Sequence, residues 1–229
     1  EIGVRLVGSE MCIRDRLCRM PECLISTYQD NMPLAAELKA DFEWAKSIAV
    51  GPGLSMNVAA AEITRCVLER DDKVRILDAD ALNIIAGEHI DYKGSREGQI
   101  IITPHIMEMS RLTGKTVADI KEHMIESAKE YAIQHSCICI LKDARTVVTD
   151  GQKVYINCTG NDGMSTGGCG DVLTGLIAGM TAMGLDAFEA ACLSVYVHGK
   201  AGDYAASGKG RAGMTAADIS EAIAYVLKR

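Results

Sequence analysis

A mostly parallel α/β sheet, covered by helices on both faces, is the fold class this sequence predicts. Two observations predict it. Short apolar strand-like runs alternate with helix-like stretches between residues 46 and 157, and the chain is then helical to its end. Residues with chemical character also recur just after the apolar runs, where open α/β sheets gather their ligands. A chain of 229 residues, 48% hydrophobic and 24% charged, is long enough for one such core. Its 22 glycines and 4% aromatics suit many tight turns and aliphatic packing.

The elements follow in order. Lys46–Val50 reads as a strand closed by the turn Gly51-Pro52-Gly53. A helix is expected over Asn57–Glu69, with Val58, Ala61 and Val67 among polar neighbours. Lys73–Leu77 is a strand ending in Asp78-Ala79-Asp80, and Ala81–Ala86 is helical. Gln99–Thr103 is a strand ending in Pro104-His105, before helices over Ile106–Leu112 and Val117–His135. Cys137–Lys142 is the next strand. Thr146–Thr149 and Lys153–Asn157 read as a hairpin around Asp150-Gly151. After the glycine run Gly160–Gly170, helices are expected over Asp171–Met183, Ala187–Ala206 and Thr215–Leu227.

A net charge of −7 argues against nucleic acid or an anionic membrane as the main partner, though not against a local basic pocket for phosphate. No apolar run reaches a membrane span, and the start lacks the basic flank and apolar core of a signal peptide. The nine cysteines are scattered without metal spacing and read as reduced thiols of a cytoplasmic protein.

Gly160–Asp171, GNDGMSTGGCGD, is the most informative segment. Glycines let the backbone approach a ligand closely, and successive N–H groups can form an anion-binding concavity. A helix starting near Asp171 adds the positive end of its dipole. No G-K-[ST] follows, so this is not a Walker loop. Asp171 could be a first-turn acid of that helix. It could equally act as the general base on a hydroxyl that attacks a bound phosphate.

The segment resembles the G-G-x-G-D signature of the ribokinase-like fold and, more closely, the ADP- or ATP-dependent NAD(P)H-hydrate dehydratases. Further segments fall in that family's order: Gly51-Pro52-Gly53-Leu54, Asp78-Ala79-Asp80-Ala81-Leu82, Ile102-Thr103-Pro104-His105, Glu108-Met109-Ser110-Arg111-Leu112 and Leu141-Lys142-Asp143. Val148-Thr149-Asp150-Gly151, His198-Gly199-Lys200-Ala201-Gly202-Asp203 and Gly213-Met214-Thr215 continue the series. The resemblance implies a three-layer ribokinase-like fold and dehydration of the S epimer of hydrated NADH or NADPH, with ADP rather than ATP as the favoured cosubstrate, and Mg²⁺. It implies Asp171 as the base, also lying against substrate. Gly53 and His105 are implied contacts of the hydrated dinucleotide. Lys142, Asp143, Ala144, Arg145 and Thr146, with Gly170, are implied for the nucleotide, and Gly167, Gly168, Cys169 and Gly170 for the anion hole. A homotetramer is the assembly it implies. The rival readings are a ribokinase-like small-molecule kinase of the thiazole or hydroxymethylpyrimidine type, and an inactive nucleotide-binding fragment.

Other candidates stay open on spacing alone. Glu108 and Arg111 lie three apart on a helix and suit either a surface pair or a phosphate or magnesium role. Asp78 and Asp80 suit either water-mediated Mg²⁺ binding or helix capping. His198 and Asp203 read mainly as structural. Two residues depart from the family pattern: Cys169 stands where Ser or Thr is usual, and Ser55 where Gly is usual. Val7–Arg16, VGSEMCIRDR, resembles the translation of a sequencing-library adapter, with a genuine tail as the alternative. The expected organisation is therefore an artefact over residues 1–16 and a dehydratase domain over 17–229, without the first part of the fold. A sheet edge would then lie open.

Overall fold

The computed structural model describes residues 5–8, 23–27, 34–94 and 99–228. Strands β1 (Arg5–Gly8) and β2 (Leu24–Thr27) form a separate parallel pair. The main sheet has six strands in sequence order: β3 (Ser47–Val50), β4 (Val74–Leu77), β5 (Ile100–Ile102), β6 (Ile138–Leu141), β7 (Val147–Thr149) and β8 (Val154–Ile156). The first four run parallel, and β7 and β8 each run antiparallel to the strand before.

Side-chain alternation divides the strands between two cores. On one face Leu77, Ile100, Ile102, Cys139, Leu141 and Val147 pack beneath the helices of the first half. These are α1 (Leu34–Glu37), α2 (Lys39–Trp44), α3 (Val58–Leu68), α4 (Ala79–Gly87), α5 (Ile106–Thr113), α6 (Val117–Glu122) and α7 (Met124–His135). On the other face Ile76, Ile101, Ile138, Ile140 and Val148 meet Leu173, Ile177, Ala191 and Val195. These last come from α8 (Cys169–Ala182) and α9 (Ala187–Lys209). A third cluster seals α8 and α9 against α10 (Ala216–Val226) through Cys169, Ala201, Ala205, Met214 and Ile219. Helices on both faces leave β4, β5 and β6 almost wholly buried, which is why they read as continuous apolar runs. β3, at the border of the sheet, keeps Ala49 exposed, and its Ser47 hydroxyl donates to the Ala178 carbonyl at 2.8 Å.

The expected helix over Val117–His135 is two helices, broken at His123 (φ −128°, ψ 50°). Ile120, Ala128 and Tyr131 all reach the same core, so the apolar period runs through the break and gives no sign of it. Helix α8 begins at Cys169, two residues before the expected start, because Gly168 (φ 87°) makes the turn into it. The four-residue α1 and six-residue α2 were not expected, being too short to display a period. Arg5–Gly8 is a strand although no strand period was read from Val7 onward, again for want of length. The rest of the stretch compared with an adapter lies outside the described residues.

Candidate functional site

Parallel strands end on one side of the sheet, so the turns after β4, β5 and β6 meet there. Asp78 follows β4, His105 follows β5 and Lys142 follows β6. The Asp78 N–H donates to the Val50 carbonyl at 3.1 Å, and the Lys142 N–H to the Pro104 carbonyl at 2.8 Å. His105 and Lys142 form an isolated parallel bridge, three residues past the end of β5 and one past the end of β6. The turn after β3 presses on the same place. At Gly51 (φ 125°) an added Cβ would lie 1.7 Å from the Asp78 carbonyl oxygen, so only glycine fits.

Asp78 is the hub. Its carboxylate is buried, accepting from the Lys142 ammonium at 2.9 Å and the Thr174 hydroxyl at 2.6 Å. Burial pushes the carboxyl up. The Lys142 ammonium, with the Thr174 and Thr103 hydroxyls, more than offsets this and holds it below the usual carboxylate range. The Lys142 ammonium lies against the first turn of α8, where a Cβ on Gly170 would sit 3.4 Å from it. First-turn N–H groups have no acceptor within their own helix, so Gly170 joins a donor-rich turn to a positive charge. Asp171 follows, exposed, in the same first turn.

His105 starts α5. Its backbone N–H donates to Glu108 at 2.8 Å, and its Nδ1 accepts from the Glu108 N–H at 3.1 Å. A neutral His105 therefore carries its proton on Nε2, which lies 3.4 Å from the other Glu108 oxygen. Glu108 is buried, and burial raises its carboxyl above the ordinary range although the His105 N–H and Lys142 oppose this.

The glycine run is held from behind by α9. Asp203 accepts from the Gly160 N–H and from the Asn161 side chain, both at 3.0 Å. A Cβ on Gly199 would meet Thr159 at 2.1 Å, and one on Gly202 would meet Met164 at 2.3 Å, so two bare positions on α9 let the loop lie flat. His198 sits beneath the α8 turn, beside the Cys169 backbone. Burial lowers its ring pKa to about 4, and Nε2 has no partner among the described residues.

Residues 4–225 match the sequence profile of the NAD(P)H-hydrate dehydratase family. The chain belongs to that family. The bifunctional NAD(P)H-hydrate repair enzyme of Moorella thermoacetica is 45% identical over 183 residues, 79% of this chain and 34% of that protein. The chain thus spans about a third of that relative's length. The ADP-dependent (S)-NAD(P)H-hydrate dehydratase of Neisseria meningitidis is 33% identical over 215 residues, 92% of this chain and 72% of that one. A Bacillus subtilis ADP/ATP-dependent NAD(P)H-hydrate dehydratase, co-crystallised with ATP and Mg²⁺ and soaked with CoA, matches with a TM-score of 0.83. That likeness is at 30% identity and covers 98% of this chain and 80% of that one. The fold is the ribokinase-like α/β fold that the motifs imply.

In this dehydratase-family chain the structure brings Lys142, Gly170 and Asp78 together, with His105 and Glu108 alongside. Asp143, Ala144 and Arg145 form the exposed turn after Lys142, and Thr146 leads into β7, its carbonyl accepting from Asn157 at 2.9 Å. Gly53 (φ 65°) stands exposed on the turn after β3, and exposed Gly167 and half-buried Gly168 lead into α8. The Cys169 thiol points into the third core cluster and is pushed up by burial, so the family's Ser or Thr at this position is matched here by a core residue. Glu108 does not pair with Arg111, which instead donates to Asn83 at 2.7 Å. Neither candidate capping acid caps α4. Asp78 turns to Lys142, and Asp80 accepts from the Ser55 N–H at 2.8 Å. Thr174 was missed, whereas Gly51 was legible as a turn but not as a close neighbour of Asp78. A threonine inside a helix carries no signal until its neighbours are known.

Proposed function

We propose that this chain removes water from the S epimer of hydrated NAD(P)H at the expense of ADP, giving NAD(P)H, AMP and phosphate. The single observation that carries the reading is the Lys142 ammonium set against the Gly170 turn, with Asp171 next in the chain. A cation and a helix start together suit a transferable phosphate. An acid beside them suits removal of a proton from the group that attacks it.

In this reading Asp171 takes the proton of the hydroxyl on C6 of the ring. That oxygen attacks the terminal phosphoryl group, and the bond to the bridging oxygen breaks to release AMP. The C6–O bond then breaks toward phosphate, a better leaving group than hydroxide, as the ring nitrogen donates its pair. Loss of a proton from C5 restores the double bond. Gly53 and His105 hold the hydrated dinucleotide. Lys142, Asp143, Ala144, Arg145, Thr146 and Gly170 hold the nucleotide, while Gly167, Gly168, Cys169 and Gly170 surround the anion. The name of the Neisseria relative supports ADP as cosubstrate.

Mg²⁺ fits as a companion of the nucleotide, where it would neutralise phosphate charge. Magnesium takes most of its ligands from phosphate and water, so one or two carboxylates suffice. No group of three or more potential His, Cys, Asp or Glu ligands occurs among the described residues. Glu108, alongside the Lys142–Gly170 turn, is an acid that would supply one such carboxylate. A cytoplasmic homotetramer completes the proposal. The Tyr204 and Tyr225 rings, stacked 5.3 Å apart and exposed on α9 and α10, offer surface for assembly.

The test is incubation with hydrated NADH and ADP, following absorbance at the reduced-nicotinamide band. Recovery with stoichiometric AMP is expected. A stable phosphorylated product without recovery would point to a kinase.

A further inference from the structure

Asp78 places a buried negative charge beside a turn suited to bind anions. A Cβ on Gly170 would lie only 3.8 Å from its carboxylate. Such a charge opposes a phosphate ligand unless it does something else there. We propose that Asp78 is a positioning residue of the nucleotide site: it holds the Lys142 ammonium against the first turn of α8, and Thr174 holds Asp78.

Three features support this. Lysine has a flexible four-carbon stem, and fixing it costs rotamer entropy. The ion pair at 2.9 Å meets that cost during folding rather than during binding. An ammonium has three donors, and Asp78 accepts from one of them, leaving donors for a ligand at Gly170. Asp78 is itself fixed. Its second oxygen accepts from Thr174 at 2.6 Å, one turn along the same helix that presents Gly170. The carboxylate therefore ties the end of β4, the end of β6 and the start of α8 at one point.

The inference rests on the nucleotide reading of this site, but its test needs no dehydration. Calorimetric titration of the full chain with ADP and with adenosine, Mg²⁺ present, separates phosphate recognition from base recognition. Asp78→Asn should weaken ADP about tenfold, in line with the loss of a charged hydrogen bond, and leave adenosine unchanged. Thr174→Val should weaken ADP about threefold, and Thr174→Ser, which keeps the hydroxyl, should restore wild-type binding. A role in stability alone would lower the unfolding midpoint without moving the ADP-to-adenosine ratio, and that result overturns the proposal. Should Asp78→Asn fail to fold, the Thr174 pair decides: equal ADP affinity in the Val and Ser variants overturns it. A wild-type chain that binds ADP no more tightly than adenosine also overturns it. If the ratios move as expected but reduced nicotinamide is never recovered, the dehydratase reading fails and this one stands.

Discussion

Around the Gly170 turn the charged and loop-holding groups are paired from within, His198 Nε2 excepted: Asp78 by Lys142 and Thr174, His105 by Glu108, the Gly160 turn by Asp203. The turn after β3 is built differently. Gly53, Ser55, Met56 and Asn57 are all exposed there, Val58 is 84% exposed, and Gly51, Gly53 and Ser55 all have positive φ. The first region is fixed by charge and hydrogen bonds, the second by backbone conformation. Charge-changing substitutions should therefore damage the first while sparing the fold, and backbone-changing ones in the second should act first on stability.

The sharpest break between the regions is expected at Asp171. Asp171→Asn keeps the size of the side chain and its place in the first turn of α8, but removes the base. Turnover should fall at least about a hundredfold, in the range general bases supply. ADP affinity should change by less than about threefold, since Lys142 and Gly170 are untouched. Titration alongside the dehydration assay checks both. A parallel loss of binding would place Asp171 in holding the nucleotide instead.

Gly51→Ala attacks the other region. The added methyl would sit 1.7 Å from the Asp78 carbonyl, at a φ that L side chains rarely adopt. A loss of about 3 kcal/mol is expected from urea unfolding. Because the clash falls on Asp78, ADP binding should weaken as well. A loss under about 1 kcal/mol would mean that the loop yields without disturbing its neighbour.

The next effect depends on pH and belongs to the Gly170 side. His198 has its folded pKa lowered from 6.5 to about 4 by burial. A base with a depressed pKa binds its proton more readily when unfolded. Its contribution is therefore complete above about pH 6.5 and is lost as pH falls from there toward about 4. The whole window amounts to about 3 kcal/mol. Denaturant midpoints at several pH values should fall through this window. His198→Gln should flatten the slope, and an unchanged slope would show that other groups dominate. Glu108, raised by burial, acts in the opposite sense, since its neutral form is favoured in the folded state.

How much of this could be read from sequence follows the same division. The strands, their ends and the glycine run were legible because burial on both faces writes continuous apolar runs and turns demand glycine. The adjacency of Lys142 and Gly170 was legible only through the family's ordered motifs, because 28 positions separate them. The ion pair of Asp78 with Lys142, 64 positions apart, was not legible, and neither was the bond from Thr174, 96 away. Local spacing offered capping or metal binding for Asp78, and the structure gives it a tertiary partner in place of a cap. His198 and Asp203 read as structural, and Asp203 is so in a specific sense, as a clamp on the loop that leads to the anion turn.

The smallest expected effect tests the second region at the residue that departs from the family pattern. Ser55 stands where Gly is usual, and its φ is 74°, in the left-handed region that a side chain adopts at a cost of about 1–2 kcal/mol. Its backbone N–H donates to Asp80 at 2.8 Å, which helps hold it there. Ser55→Gly removes the strain but adds freedom to the unfolded chain, worth about 0.4–1 kcal/mol in the opposite direction. The net expectation is a stabilisation of about 0.5–1 kcal/mol, seen as a higher urea midpoint with an unchanged slope. ADP affinity should stay the same, because nothing at Ser55 touches Lys142 or Gly170. Weaker binding of the hydrated dinucleotide in this stabilised variant would show that the strained turn is held in shape for the ligand. Unchanged binding would leave strain at Ser55 as a cost of this sequence alone, with the neighbouring Gly51 and Gly53 sufficient to shape the turn.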